Sequence, residues 1–298
     1  MRRALFLLIL PLFALPVAAQ DQPTRPPIIG IAHVRIFVTQ MEASVHFYQS
    51  ALGLTLDSPC SIDIFRKCFR LSELQLVQLD SRAKDIPANS VEEVAFLISD
   101  VAMMRKFVIS RGVQPDSLSA NAASVPSVCV SDPEGHHICF EQRQEANLSG
   151  HDSRVRKRLI HTGFIVHDRA AEDKFYKDIL GFHVYWHGGM KEGEDNWVDM
   201  QVPDGTDWIE YMLKVPANAD KHTLGVMNHI ALGVPDIHAA EKQLRANGWN
   251  GTEQPKIGRD GKWQLNLYDP DETRVELMEF TPVQKPCCSD YTGPHPKP

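Results

Sequence analysis

Apolar and polar positions recur along the chain in one repeated order. Runs such as HVRIFV (33–38), VAFLI (94–98), HTGFIV (161–166) and HIALGV (229–234) alternate or are nearly continuous in apolar residues, and they predict half-buried or fully buried strands. A polar or acidic turn follows each. Apolar residues three and four apart then lead to Gly53, Gly112, Gly181 or Gly248, the expected helix stops. Shorter alternating runs come next, separated by turn signals such as Asp132-Pro133, Asp260-Gly261 and Asp269-Pro270. The pattern predicts β-α-β-β-β four times.

Self-comparison supports that count. Residues 31–54 resemble 159–182, with His33 matching His161, Phe47-Tyr48 matching Phe175-Tyr176 and Gly53 matching Gly181. Residues 91–113 resemble 227–249, with Glu93 matching His229, Asp100 matching Asp236 and Gly112 matching Gly248. Between the halves, 142–158 is polar and nearly free of aliphatics. The expected organisation is therefore a first domain over 29–142, a linker over 143–158, a second domain over 159–281 and a Pro/Cys-rich tail over 282–298.

The strand-initial histidines, the Phe-Tyr-x3-Leu-Gly helix ends at 47–53 and 175–181, and the Asp-Pro turns before the last strands resemble the vicinal oxygen chelate family. That family includes glyoxalase I, extradiol dioxygenases, methylmalonyl-CoA epimerase and bleomycin-resistance proteins. The resemblance spans 29–281 and implies an α+β fold of four βαβββ modules, forming two glyoxalase-like domains with curved mixed sheets. It further implies that a divalent metal sits on a concave sheet face.

The N-terminus carries its own signal. Arg2 and Arg3 precede the apolar run 4–19, which Pro11 and Pro16 interrupt and which ends in small residues before a polar stretch. This is the layout of a secretory signal peptide over 1–19, and the run is short for a membrane span of roughly 20 residues. No second apolar stretch is long enough to span, so no membrane contact is expected after cleavage, and the protein is expected to be secreted or periplasmic. The formal charge is −7 and becomes more acidic once Arg2 and Arg3 are removed. With no basic stripe among aromatics, nucleic acid is excluded as an expected partner and a small-molecule substrate is favoured. Export makes disulfides permissible among the six cysteines. Cys129 and Cys139 flank a turn, Cys60 and Cys68 flank another probable hairpin, and Cys287 and Cys288 are adjacent.

Four residues stand out in strands that are otherwise apolar: His161, Glu210, His229 and Glu276. A lone buried strand histidine is ordinarily a hydrogen-bonded core residue, and Glu279 competes with Glu276 for the inward position. Taken together, however, two carboxylates buried near one another repel, and a divalent ion offsets both while imidazoles complete its coordination. The resemblance implies that this His/Glu/His/Glu set is the metal site of glyoxalase-I-type enzymes, holding Ni, Zn, Co, Mn or Fe. Glu276 or Glu210 would then be the base for isomerase or lyase chemistry through a metal-bound enediolate, on a substrate with vicinal oxygens. Two other readings remain: an Fe(II) extradiol-type dioxygenase using His161, His229 and Glu276, and a non-catalytic protein that binds or sequesters a small molecule. The matching first-half positions are His33, Gln75, Glu93 and Cys139, read as a degenerate copy that braces or partly covers the other half, with a second, unusual metal site as the alternative. All five Trp lie in the second half. His183, Tyr185 and His187 alternate along one strand and, with Trp197 and Trp263, are expected to line the pocket. The Gly-rich loop 188–197 is expected to be a lid or a solvated hairpin.

Overall fold

The computed structural model describes residues 23–57, 63–116, 125–143 and 158–298. The expected signal peptide (1–19), Cys60 and almost all of the expected linker lie outside the described residues. Two mixed sheets share one strand order. In the first, β1 (Ile28–Phe37) is central, beside β4 (Leu76–Asp80) and β5 (Val91–Ile98). β3 (Arg66–Arg70) and β2 (Thr55–Leu56) extend one side, and β7 (His137–Glu141) and β6 (Ser127–Ser131) the other. In the second, β8 (Arg158–Ile165) lies between β11 (Trp208–Met212) and β12 (His229–Val234). β10 (Trp197–Gln201) and β9 (His183–Gly188) follow on one side. β15 (Arg274–Glu279), β14 (Trp263–Tyr268) and β13 (Lys256–Ile257) follow on the other. The fold is α+β with two glyoxalase-like domains. The second module shows two strands after its helix among the described residues, with 117–124 outside them.

The helices obey their end signals. α1 (Met41–His46) and α3 (Arg169–Asp173) each continue into a π-type turn, Phe47–Ala51 and Lys174–Ile179. α2 (Val101–Ser110), α4 (Lys221–Met227) and α5 (Ile237–Ala246) complete the set. Asp100, Asp168 and Asp236 accept the backbone N–H groups of Met103, Ala171 and Ala239. Capping of this kind satisfies donors a helix cannot.

One apolar core runs through both halves, from Ile31, Phe69 and Phe96 to Phe164, Leu232 and Leu277. The halves also interlock reciprocally through the tyrosines of the two Phe-Tyr motifs. Tyr48 donates to Asp269 Oδ2 at 3.3 Å, and Tyr176 donates to Asp132 Oδ2 at 3.0 Å. Each motif therefore grips the Asp-Pro turn of the opposite half. Gln75 bridges them again, donating to the carbonyls of Ile31 (3.1 Å) and Leu159 (2.8 Å). Residues 282–298 form no helix or strand but dock on the second sheet. Trp186 Nε1 donates to the Cys287 carbonyl at 3.1 Å, and Tyr291 donates to the Asp260 carbonyl at 2.8 Å.

Candidate metal centre

The register of the second sheet decides which side chains share its concave face. β11 runs parallel to β8, setting Trp208 beside His161 and Glu210 beside Gly163. β12 runs antiparallel to β8, setting His229 opposite Gly163 and Ala231 opposite His161. β15 runs parallel to β12, setting Arg274 beside His229 and Glu276 beside Ala231. Cross-strand neighbours point to the same side, so His161, Glu210, His229 and Glu276 project together. Glu279 is on the other face and caps α5, accepting the Ile237 N–H at 2.9 Å. Gly163 is required by close approach: a Cβ there would lie 2.0 Å from His229 Cε1.

Three tips, those of His161, Glu210 and His229, lie within 4.8 Å of one another, and Glu276 stands at the edge of that group. His161 Nε2 and His229 Nε2 are 3.1 Å apart, and Glu210 Oε2 lies 3.0 Å from His229 Nε2 and 3.6 Å from His161 Nε2. Glu276 Oε2 is 3.7 Å from His161 Nε2. His229 Nδ1 donates to the Met227 carbonyl at 3.3 Å, which leaves the Nε2 lone pair facing the cluster. Arg274 Nη2 donates to that lone pair at 2.8 Å. His161 stacks on Trp208 with centroids 4.6 Å apart.

Electrostatics follow from burial. Burial, then the cations around them, hold both imidazoles well below the ordinary histidine range, so they are neutral. Burial pushes Glu210 and Glu276 up to about 7, against the pull of Arg274. Asp199 faces Glu210 across β10 and β11, and burial and Glu210 drive its carboxyl well above the usual range. His161 Nδ1, Glu276 Oε1 and Asp199 Oδ1 are buried without a hydrogen-bond partner. The donor set suits a divalent cation. Neutral imidazoles offer lone pairs, that of His229 once an ion displaces the Arg274 hydrogen bond, the carboxylates supply charge, and the 3.0 and 3.1 Å separations at His229 Nε2 are those of neighbouring ligands around an ion with bonds of about 2.0–2.2 Å.

A cavity of about 440 Å³ opens onto His161, Glu210 and Glu276 and is walled by Trp186, Trp197, Trp208, Met212, Met227 and Met278. Of the residues expected to line it, Trp197 does so. A bulge between β9 and β10 at Asp199/Met200 breaks the alternation of His183, Tyr185 and His187. Tyr185 is buried against Trp208 and Tyr291, and His183 donates to Gln201 Oε1 at 3.1 Å beneath the tail. His187 lies on the other face, 2.7 Å from Asp195. Trp263 also belongs to the other face, packed against His238 of α5 at 4.9 Å between ring centroids. Sequence reasoning missed Arg274, Asp199 and Lys262. Arg274 was accessible as the residue two before Glu276 on one strand. Lys262 is fully buried, its Nζ 4.5 Å from the centroid of Trp208 and 5.0 Å from that of Tyr291. No local pattern marks it.

The first sheet holds a different arrangement in the same register. Gln78, not Gln75, pairs opposite Arg35 as Glu210 does opposite Gly163; Gln75 is the interdomain bridge. Arg35 fills the space that Gly163 leaves open, binding Glu93 through Nη1 (3.0 Å) and Nη2 (2.7 Å) and Gln78 through Nε (3.1 Å). His33 Nε2 is 2.6 Å from Glu93 Oε1. Cys139, at the Glu276 position, is bridged to Cys129. A guanidinium thus sits where the second half gathers four donors.

The family model described as Glyoxalase/Bleomycin resistance protein/Dioxygenase superfamily matches residues 30–67 and 158–277. Lactoylglutathione lyase of Haemophilus influenzae is 30% identical over 124 residues, covering 41% of this chain and 92% of that protein. A probable lactoylglutathione lyase of Synechocystis is 30% identical over 125 residues, covering 41% and 94%. In fold the chain is similar to a catechol 2,3-dioxygenase, at TM-score 0.67 and 14% identity over 90% of this chain and 94% of that one. It is also similar to a homoprotocatechuate 2,3-dioxygenase variant from Brevibacterium fuscum, at TM-score 0.64 and 18% identity over 92% and 75%.

Proposed function

Because the chain belongs to the glyoxalase/bleomycin resistance protein/dioxygenase superfamily, we propose that it is a metal-dependent lyase or isomerase of the glyoxalase I type. The observation that carries this reading is the convergence of His161, Glu210 and His229, with Glu276 3.7 Å from His161 Nε2, beneath a walled cavity. These four residues would hold the ion, which supplies Lewis-acid stabilisation of negative charge developing on a substrate oxygen.

The chain's own residues supply the rest. Glu210 or Glu276 takes a proton from carbon beside a carbonyl and returns it to the neighbouring carbon. Ionised, either carboxylate is in the form a general base requires. The Trp186, Trp197 and Trp208 rings exclude water from that transfer. Arg274, beside the cluster and at the cavity wall, orients an oxygen of the substrate. The substrate class is small molecules with adjacent oxygens, such as hydroxyketones and dicarbonyls.

Glu210 weighs against a ring-cleaving dioxygenase, because a fourth protein ligand occupies a position that chemistry leaves open. Metal analysis of protein purified without chelators tests the proposal, with His229→Ala as control. Stoichiometric Ni, Zn, Co or Mn lost in the variant supports it, and iron with ring cleavage of catechols replaces it. Absence of bound metal turns the reading to a non-catalytic binding protein. Export is part of the same proposal: the Cys129–Cys139 and Cys287–Cys288 bridges suit an oxidising compartment. Amino-terminal sequencing of the mature protein should find cleavage after Ala19.

A further inference from the structure

The first domain gathers a second set of metal-ligating atoms, displaced one strand outward from the position its sheet shares with the quartet. Glu93 on β5, Cys129 on β6, and His137 and Cys139 on β7 each bring one donor atom within 4.8 Å of all the others. The register explains the shift. Cys129 faces Cys139 across β6 and β7, as Asn266 faces Glu276 across β14 and β15. The central place is taken by the Arg35 guanidinium, whose Nη1 donates to Glu93 Oε2 at 3.0 Å while that oxygen also faces His137 Nδ1, 2.7 Å away.

We propose that reduction of the Cys129–Cys139 disulfide opens a binding site for a zinc-class divalent cation, held by Cys129 Sγ, Cys139 Sγ, His137 Nδ1 and Glu93 Oε2. Two thiolates, an imidazole and a carboxylate form a donor set of the type that tetrahedral zinc prefers. The imidazole already has the partner such a ligand needs: His137 Nε2 lies 2.8 Å from Asp116 Oδ2, a carboxylate that fixes the ring and leaves Nδ1 to the cluster. Charge also closes, since two thiolates and Glu93 balance the ion and Arg35.

The step is a thiol–disulfide exchange. A dithiol reductant gives two electrons and two protons to the bridge and becomes a disulfide itself. The incoming cation then displaces both thiol protons and the proton shared by His137 and Glu93. Cys129 is half-buried and offers the reductant a sulfur, while Cys139 is buried. Exchange with a low-molecular-weight disulfide reverses the sequence: that disulfide takes the two electrons and is reduced to thiols, the Cys129–Cys139 bond re-forms, and the ion is released. This site is independent of the reading given to the second domain.

The test uses the full chain carrying His161→Ala, His229→Ala, Cys287→Ser and Cys288→Ser, which removes the quartet and the adjacent cysteine pair. Co(II) is titrated before and after dithiol reduction. After reduction one equivalent should bind with a near-ultraviolet thiolate-to-cobalt charge-transfer band and tetrahedral visible absorption, and the oxidised chain should show neither. Adding Cys139→Ser or His137→Ala should abolish the band or weaken it at least tenfold. The proposal is overturned by no band after reduction, by a band that survives Cys139→Ser, or by equal binding in the oxidised chain. Far-UV circular dichroism accompanies each titration, and unfolding on reduction would also overturn it, by making the bridge a structural staple.

Discussion

Loading the second-domain quartet with a metal should release protons in acid and none in mild base. Burial raises Glu210 and Glu276 to about 7, so in the metal-free protein at pH 6 each carboxyl is mostly protonated. His161 and His229 are held well below their ordinary range and are already neutral there. An ion binding the ionised carboxylates at pH 6 therefore displaces close to two protons, and at pH 8 almost none. Each carboxyl weakens apparent affinity about tenfold at pH 6 relative to pH 8, about 100-fold together, or about 2.8 kcal/mol. The sign is definite: affinity climbs with pH to about 7 and then levels. Ordinary carboxyls near pH 4.5 would change affinity hardly at all over that interval. Calorimetric titration in buffers of differing ionisation enthalpy counts the protons, and competition with a chromogenic chelator measures the affinity. Uptake without proton release at pH 6, or equal affinity at pH 6 and pH 8, would refute the reasoning. Glu276→Gln should leave about one proton.

Gly163→Ala should leave the fold intact by circular dichroism yet lower metal affinity by at least the 10–100-fold that follows loss of a supporting partner, because the added Cβ displaces the His229 ring. Tyr176→Phe should cost about 1–2 kcal/mol in urea unfolding, by removing a buried hydrogen bond across the domain junction; no change would remove that contact from the account of interlocking. In acid, Glu141 should contribute part of the loss of stability. Burial opposes its ionisation, but His33 and Arg143 hold its carboxyl at about 2. Its folded value is depressed, so its stabilisation is complete above about pH 4.5 and disappears as pH falls toward 2, about 3 kcal/mol in all. Glu141→Gln should flatten the stability profile over that interval.

The strand and helix order was legible because its signals are local: the period-two runs, the polar or acidic turns after them, and the glycines that stop the helices, which the structure holds at positive φ. So were His161, Glu210, His229 and Glu276, since a charged or imidazole side chain in an apolar strand is conspicuous wherever it falls. Register was not legible. A single bulge at Asp199/Met200 turned His187 to the far face, and one-strand pairing put Gln78 rather than Gln75 opposite Arg35. A shift of one residue reverses every side chain in a strand, and sequence periodicity cannot see it. Arg274, Asp199 and Lys262 became part of the centre only when distant strands were laid side by side, because electrostatic neighbours depend on distance in space. The candidate ligands could be nominated from the chain alone. Which of them meet, and at what protonation, was decided by the packing that buries them together.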